Sequence, residues 1–225
     1  MKNYKVVGFP DVKKLKIKGV LIDIDDTLYS YKNTHEIALK ECYKAFKVQV
    51  DSTITLEVFG RLYREKRDEV TSSLYPQGSC RSRLLAFQRL FESINIMFAY
   101  KKALEFDTIY WDSFLNHMSL LNEAKNFLLQ CQKNQVLVCA VTDMLATIQI
   151  RKLEMLKLDG LIHYLVTSEE TGKEKPASEM FELALNKLSL TEQVVIMIGD
   201  NQSKDIEGAK RLGIQSYKIS LNHKI

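Results

Sequence analysis

Two clusters of carboxylates stand out in this 225-residue chain. Asp23-Ile24-Asp25-Asp26-Thr27-Leu28 follows directly on the apolar run Gly19-Val20-Leu21-Ile22, so Asp23 and Asp25 leave the end of one element together. Such a pair is costly unless a cation neutralises it. Gly199-Asp200-x-x-x-x-Asp205 follows a second apolar run, and the glycine lets backbone approach a ligand closely. Thr142 closes a third run, where a hydroxyl can donate to a phosphate oxygen. Lys175 precedes Pro176, which biases it towards extended backbone, and its ammonium can serve as a point charge for phosphate. Lys173 is a rival for that task. Taken singly, each feature has a plain explanation: a solvated Asp-rich turn, a Gly-Asp turn, a strand-end threonine, a solvated lysine. Together they come in the order acidic pair, hydroxyl, ammonium, acidic pair, each after an expected strand or at a helix entry.

The elements that must position these groups are legible in outline. The runs at 19–22, 136–141 and 194–198 are apolar and do not alternate in polarity. That pattern predicts strands buried on both faces, as in a parallel sheet covered by helices. Each run ends in a polar cluster, where an open parallel sheet places its ligand crevice. A helix is expected over Leu145–Leu156, from apolar residues at 145, 148, 150, 153, 155 and 156. Ser178 is expected to cap a helix through Leu188, and Ser203 another through Leu212, ended by Gly213. Strands are expected at His163–Ser168 and Gln215–Ser220.

Residues 31–121 break the strand–helix rhythm. Asn33 with Glu36 suggests a capped helix start running to about Val48. Further helices are expected near Thr53–Val70, Ser82–Ile94 and Met97–His117, with a loop over Thr71–Ser79. The expectation is an α/β, Rossmann-like parallel sheet flanked by helices, residues 1–29 and 122–225, with a small all-helical cap, residues 30–121.

Composition narrows the class. At 46% hydrophobic and 27% charged, the chain is neither collagen-like nor disordered. With Lys+Arg 32 against Asp+Glu 28, it is only mildly basic, and no nucleic-acid partner is expected. The cysteines at 42, 80, 131 and 139 form no C-x-x-C pair and are expected to be reduced core residues. Met1–Lys18 carries six lysines and lacks the apolar stretch of a signal peptide or anchor. The longest apolar runs are far too short to span a bilayer. A cytoplasmic protein with no membrane partner, monomer or homodimer, is expected.

The motif set resembles the haloacid dehalogenase (HAD) superfamily of aspartate-nucleophile phosphotransferases. The resemblance covers about residues 17–29 and 122–220, and the helical insert lies where many members carry a cap. It implies Asp23 as the nucleophile that takes the phosphoryl group and Asp25 as the general acid, then base. It implies that Thr142 holds the phosphate and that Lys175 offsets the charge of nucleophile and phosphate. Asp200 would ligate Mg²⁺ with Asp23 and the backbone carbonyl of Asp25, and Asp205 would act through water or by fixing Lys175. Mg²⁺ prefers hard oxygen ligands, which suits this set. The implied activity is hydrolysis of a small phosphorylated metabolite through an aspartyl-phosphate. Dehalogenase members lack an acid two residues after the nucleophile, and Asp25 is present here. A phosphomutase and a non-catalytic phospholigand-binding scaffold are the alternatives.

Three positions depart from the family pattern. Asp143 stands where many members have Asn, Ser178 where many have a second Pro, and Lys204 where a smaller or amide residue is frequent. Substrate contacts are expected from Thr142, Asp143, Lys175 and Arg83. Cys80-Arg81-Ser82-Arg83 and Tyr75 either face the substrate or form cap surface over a core of Leu84, Leu85 and Phe87. The four histidines share no spacing and are assigned nothing.

Overall fold

The computed structural model describes residues 4–223. Its strands are β1 (Tyr4–Val7), β2 (Gly19–Ile22), β3 (Leu137–Thr142), β4 (Tyr164–Thr167), β5 (Val195–Gly199), β6 (Gln215–Lys218) and β7 (Ser220–His223). Its helices are α1 (Tyr31–Gln49), α2 (Leu56–Leu74), α3 (Arg83–Ser93), α4 (Ala99–Asn116), α5 (Asn122–Lys133), α6 (Ala146–Met155), α7 (Ser168–Thr171), α8 (Ser178–Leu188) and α9 (Glu207–Lys210). The chain divides into two compact units: one up to Tyr31 and from Ser119 on, the other Lys32–Met118.

The first unit holds a five-stranded, all-parallel sheet in the order β4-β3-β2-β5-β6. Val20, Leu21 and Ile22 are fully buried, which explains why their run does not alternate: both faces are covered. The period of two still sorts them. Leu21, Cys139, Val141, Val195 and Met197 pack with Met180, Phe181, Ala184 and Leu188 of α8 in one core cluster. The register aligns Ile22 with both Ala140 and Ile198, so the chain ends after β2, β3 and β5 come level at one edge. Asp23, Thr142 and Asp200 therefore emerge side by side. The pairing of β1 with β7 as a separate antiparallel ribbon was not foreseen.

Two expected caps are corrected. Ser178 is the first residue of α8, Ala177 occupies the cap, and no side chain bonds there. Before α9 the cap is Asn201, which accepts from the amides of Ser203 and Lys204; the turn Gln202–Ile206 is a π-helix, not the start of a regular α-helix. An acceptor two residues ahead of Ser203 reaches those amides first. Gly213, at φ 78°, ends the segment as expected.

The second unit is helical throughout. The capping-box reading at Asn33 fails because α1 begins at Tyr31 and Asn33 lies within it. Thr55 caps α2 and Ser82 caps α3, each hydroxyl accepting from the amide three residues on. The expected loop over 71–79 is part helix, since α2 continues to Leu74 and a 3₁₀ turn forms at Gly78–Arg81. The core is aromatic: Phe46, Phe59, Phe87, Phe91 and Phe106 are buried in mutual ring contact. Edge-to-face pairs of this kind contribute about 0.5–1.5 kcal/mol beyond area burial.

Candidate active site

Asp23 lies one residue beyond β2, its amide donating to the Ile198 carbonyl at 2.9 Å. Its carboxylate is buried, with Oδ1 2.5 Å from Lys175 Nζ and Oδ2 accepting from the Thr27 hydroxyl at 3.3 Å. Lys175 Nζ also lies 2.7 Å from Asp205 Oδ1 and donates to the Val141 carbonyl at 2.8 Å. The ammonium is thus aimed at Asp23 by fixed partners. Asp205 Oδ2 accepts from the Asn201 amide at 3.0 Å. Gly199 makes room for this: a Cβ there would meet Asp205 Oδ2 at 2.3 Å.

Asp23, Asp200 and Asp205 each offer an oxygen within 4.8 Å of the others. Burial pushes the Asp23 carboxyl well above the usual range; Lys175 opposes the shift, and Asp205, Asp200 and Asp25 add to it. Burial, then Asp205 and Asp26, push Asp200 up to about 6. Burial pulls the Lys175 ammonium down, but Asp205, Asp23 and Asp143 outweigh it and raise it. One lysine leaves this cluster short of positive charge. All its donors are hard oxygens, so the residues present fit a small divalent cation such as Mg²⁺.

Asp25 has different company. Its Oδ1 accepts from Lys152 Nζ at 2.6 Å and from the Tyr29 hydroxyl. The next residue, Asp26, turns the chain at φ 58° and accepts from the Tyr31 amide at 2.8 Å. Thr142 is buried; its Oγ1 accepts from Gln149 Nε2 at 2.8 Å and donates to the Asp143 carbonyl at a long 3.4 Å. Asp143 accepts from the Lys175 amide through Oδ1, at 2.9 Å, and from Lys204 Nζ through Oδ2, at 2.6 Å. Lys204 also reaches Glu174 at 2.8 Å.

Arg83 lies in the helical unit. It is buried, donates to the Arg81 carbonyl at 2.8 Å and sits over the rings of Tyr110 and Trp111. The surface reading holds for Tyr75, which is exposed, and fails for Cys80, Ser82 and Arg83, which are buried; Arg81 is half-buried, Phe87 is core, and Leu84 and Leu85 are only half-buried. His35 accepts or donates at Tyr110 Oη, 2.7 Å away. Burial, then Arg83, Arg67 and Arg64, hold its pKa down to about 3. All four cysteines are free and buried, and burial pushes Cys131 and Cys139 up to about 12, which makes them poor nucleophiles.

Sequence reasoning missed Gln149, Lys152, Tyr29 and Asn201. Ile150 and Met155, two of the apolar positions from which this helix was expected, are exposed, and the helix buries Ile148, Gln149 and Lys152. The i, i+3 spacing of Gln149 and Lys152 puts them on one face, but a solvated polar face has the same spacing.

The chain matches the family model described as haloacid dehalogenase-like hydrolase over residues 20–219, a span that holds every residue of this site. It is 33% identical over 198 residues, 88% of this chain and 82% of the relative, to the ribulose-1,5-bisphosphate 5-phosphatase of Halopiger xanaduensis. It is 30% identical over 204 residues, 90% of this chain and 84% of the relative, to the glyceraldehyde 3-phosphate phosphatase of Methanopyrus kandleri. The HAD-hydrolase YfnB of Bacillus subtilis, solved bound to magnesium, shares the fold at a TM-score of 0.68 and 18% identity, covering 89% of this chain and 87% of that one. The chain belongs to the haloacid dehalogenase-like hydrolase family. Within that family it is a phosphatase-type enzyme.

Proposed function

We propose that this protein is a Mg²⁺-dependent phosphomonoester hydrolase of a small phosphorylated metabolite, working through an aspartyl-phosphate on Asp23. The observation that carries the reading is the buried Asp23 carboxylate at the end of β2, gripped by Lys175 beside two further carboxylates. The names of the two relatives favour a sugar or triose phosphate as substrate.

An oxygen of Asp23 attacks phosphorus, and the bond from phosphorus to the alcohol oxygen breaks. Asp25 gives its proton to the departing oxygen. Water then attacks the phosphorus of the acyl phosphate and loses a proton to Asp25, releasing inorganic phosphate and restoring Asp23. Splitting the reaction in two lowers each barrier. Thr142 donates to a phosphate oxygen, and Lys175 balances the charge of Asp23 and phosphate. Asp205 acts through Lys175, because its two oxygens are engaged by Lys175 and the Asn201 amide. Asp143 holds the Lys175 backbone. Mg²⁺, held by Asp23, Asp200 and the Asp25 carbonyl, would supply the missing positive charge. Residues 30–121 would serve as the substrate-selecting cap, with Arg83 as a candidate contributor to it.

Two variants test the roles. Asp23→Asn should abolish turnover of every substrate in a panel of sugar phosphates and p-nitrophenyl phosphate. Asp25→Asn should lose about 10²–10⁴-fold on an alkyl phosphate and much less on the aryl phosphate, whose phenolate leaves unaided. Near wild-type rates for Asp23→Asn, or no metal dependence of turnover, would sink the reading.

A further inference from the structure

The inner face of α6 carries two polar residues one turn apart, and both reach the site. Gln149 bonds the Thr142 hydroxyl, and Lys152, fully buried, bonds Asp25 Oδ1 at 2.6 Å. Tyr29, also fully buried, donates to the same oxygen, and Lys152 Nζ lies 5.7 Å from the centre of its ring. A buried ammonium is costly unless it is paired and well oriented, so a lysine kept there needs a partner that stays in one place. Asp25 is partly exposed, with a side-chain relative exposure of 31%, whereas Lys152 is wholly buried.

We propose that Lys152, with Tyr29, is a positioning residue that sets the direction of the Asp25 carboxyl group for proton transfer. With Lys152 and Tyr29 both donating to Oδ1, the direction of the carboxyl group is set from that oxygen, and the group so held passes its proton to the leaving oxygen. The proposal rests on the general-acid role given to Asp25 above. Misplacing a catalytic group by about 1 Å can cost roughly 10²-fold. The loss should be confined to the step that needs the proton.

The test compares β-glycerophosphate, an alkyl phosphate, with p-nitrophenyl phosphate in the full-length, Mg²⁺-loaded enzyme. Lys152→Met should lower kcat on the alkyl phosphate by about 10–100-fold, spare the aryl phosphate by at least roughly tenfold in comparison, and leave KM within about 3-fold. Tyr29→Phe, which removes only the hydroxyl, should show the same selectivity at smaller size; it decides the matter if Lys152→Met does not fold. In an Asp25→Asn background, Lys152→Met should cost no more than about 3-fold further, because the group it positions is gone. Equal losses on both phosphates for Lys152→Met and Tyr29→Phe, while Asp25→Asn still discriminates, overturn the positioning role and leave the function standing. A full further loss in the Asp25→Asn background does the same. If Asp25→Asn itself fails to discriminate, the general-acid reading falls and this proposal with it.

Discussion

Lys204 lies between two carboxylates, Asp143 at 2.6 Å and Glu174 at 2.8 Å, and its side chain is 25% exposed. Two of the three departures from the family pattern, Asp143 and Lys204, are therefore each other's partners. A carboxylate at 143 brings a charge that an amide would not, and the lysine at 204 neutralises it. Burial pulls the Lys204 ammonium down, but Asp143 and Glu174 outweigh it and raise it. Removing Lys204 leaves Glu174, almost wholly buried, and Asp143 without this cation. Lys204→Met should destabilise the protein by about 1–3 kcal/mol in urea denaturation. Adding Asp143→Asn should recover part of that loss. Strict additivity of the two changes would show that the pair is not coupled.

At the scale of elements, the turn into α9 depends on Asn201, whose Oδ1 accepts from Ser203 N at 3.1 Å and Lys204 N at 3.0 Å. Asn201→Ala should cost about 1 kcal/mol, measured by chemical denaturation, whereas Ser203→Ala should change stability by a few tenths. In the helical unit, burial, and then the arginines around it, make the His35 imidazole hard to protonate. Its pKa is about 3 in the fold against an ordinary 6.5, so below pH 6.5 the unfolded chain takes up a proton that the folded chain does not. Stability should therefore fall as pH drops from about 6.5 towards 3, by roughly 1.4 kcal/mol at pH 5.5. Denaturation midpoints at pH 7.5 and 5.5 should show a smaller acid loss in His35→Gln than in the parent. An equal loss in both would remove His35 as the cause.

For the whole molecule, a divalent cation held by the clustered carboxylates, as proposed above, would couple folding to its binding. Asp200 sits at about 6 because burial and its acidic neighbours oppose its charge, and a divalent cation would relieve both. Mg²⁺ at a hundred times its Kd should add about 2.7 kcal/mol of stability. Thermal melts with and without Mg²⁺ should show the rise in Tm for the parent and little of it for Asp200→Asn. A rise of the same size in that variant would mean that the ion binds elsewhere.

The sequence alone determined the α/β class, three strand runs of the sheet and six candidate groups: Asp23, Asp25, Thr142, Lys175, Asp200 and Asp205. For Asp23, Thr142 and Asp200 the signal is local, because an apolar run buried on both faces ends there in a polar residue; Asp25, Lys175 and Asp205 were legible only through the order and spacing of the whole motif set. Local rules also misled where two candidates competed within a turn, as Asn201 did with Ser203, since backbone geometry decides which side chain reaches the free amides. The tertiary structure alone decided what Lys152, Tyr29 and Gln149 do. Lys152 meets Asp25 across 127 positions of sequence, and nothing in Ile150-Arg151-Lys152-Leu153 separates a buried, paired lysine from a solvated one. The pairing of Asp143 with Lys204 across 61 positions is of the same kind. The meaning of a charge depends on what the fold brings within about 3 Å of it, and a helix can turn a polar stripe inward only when the partner groups are already waiting there.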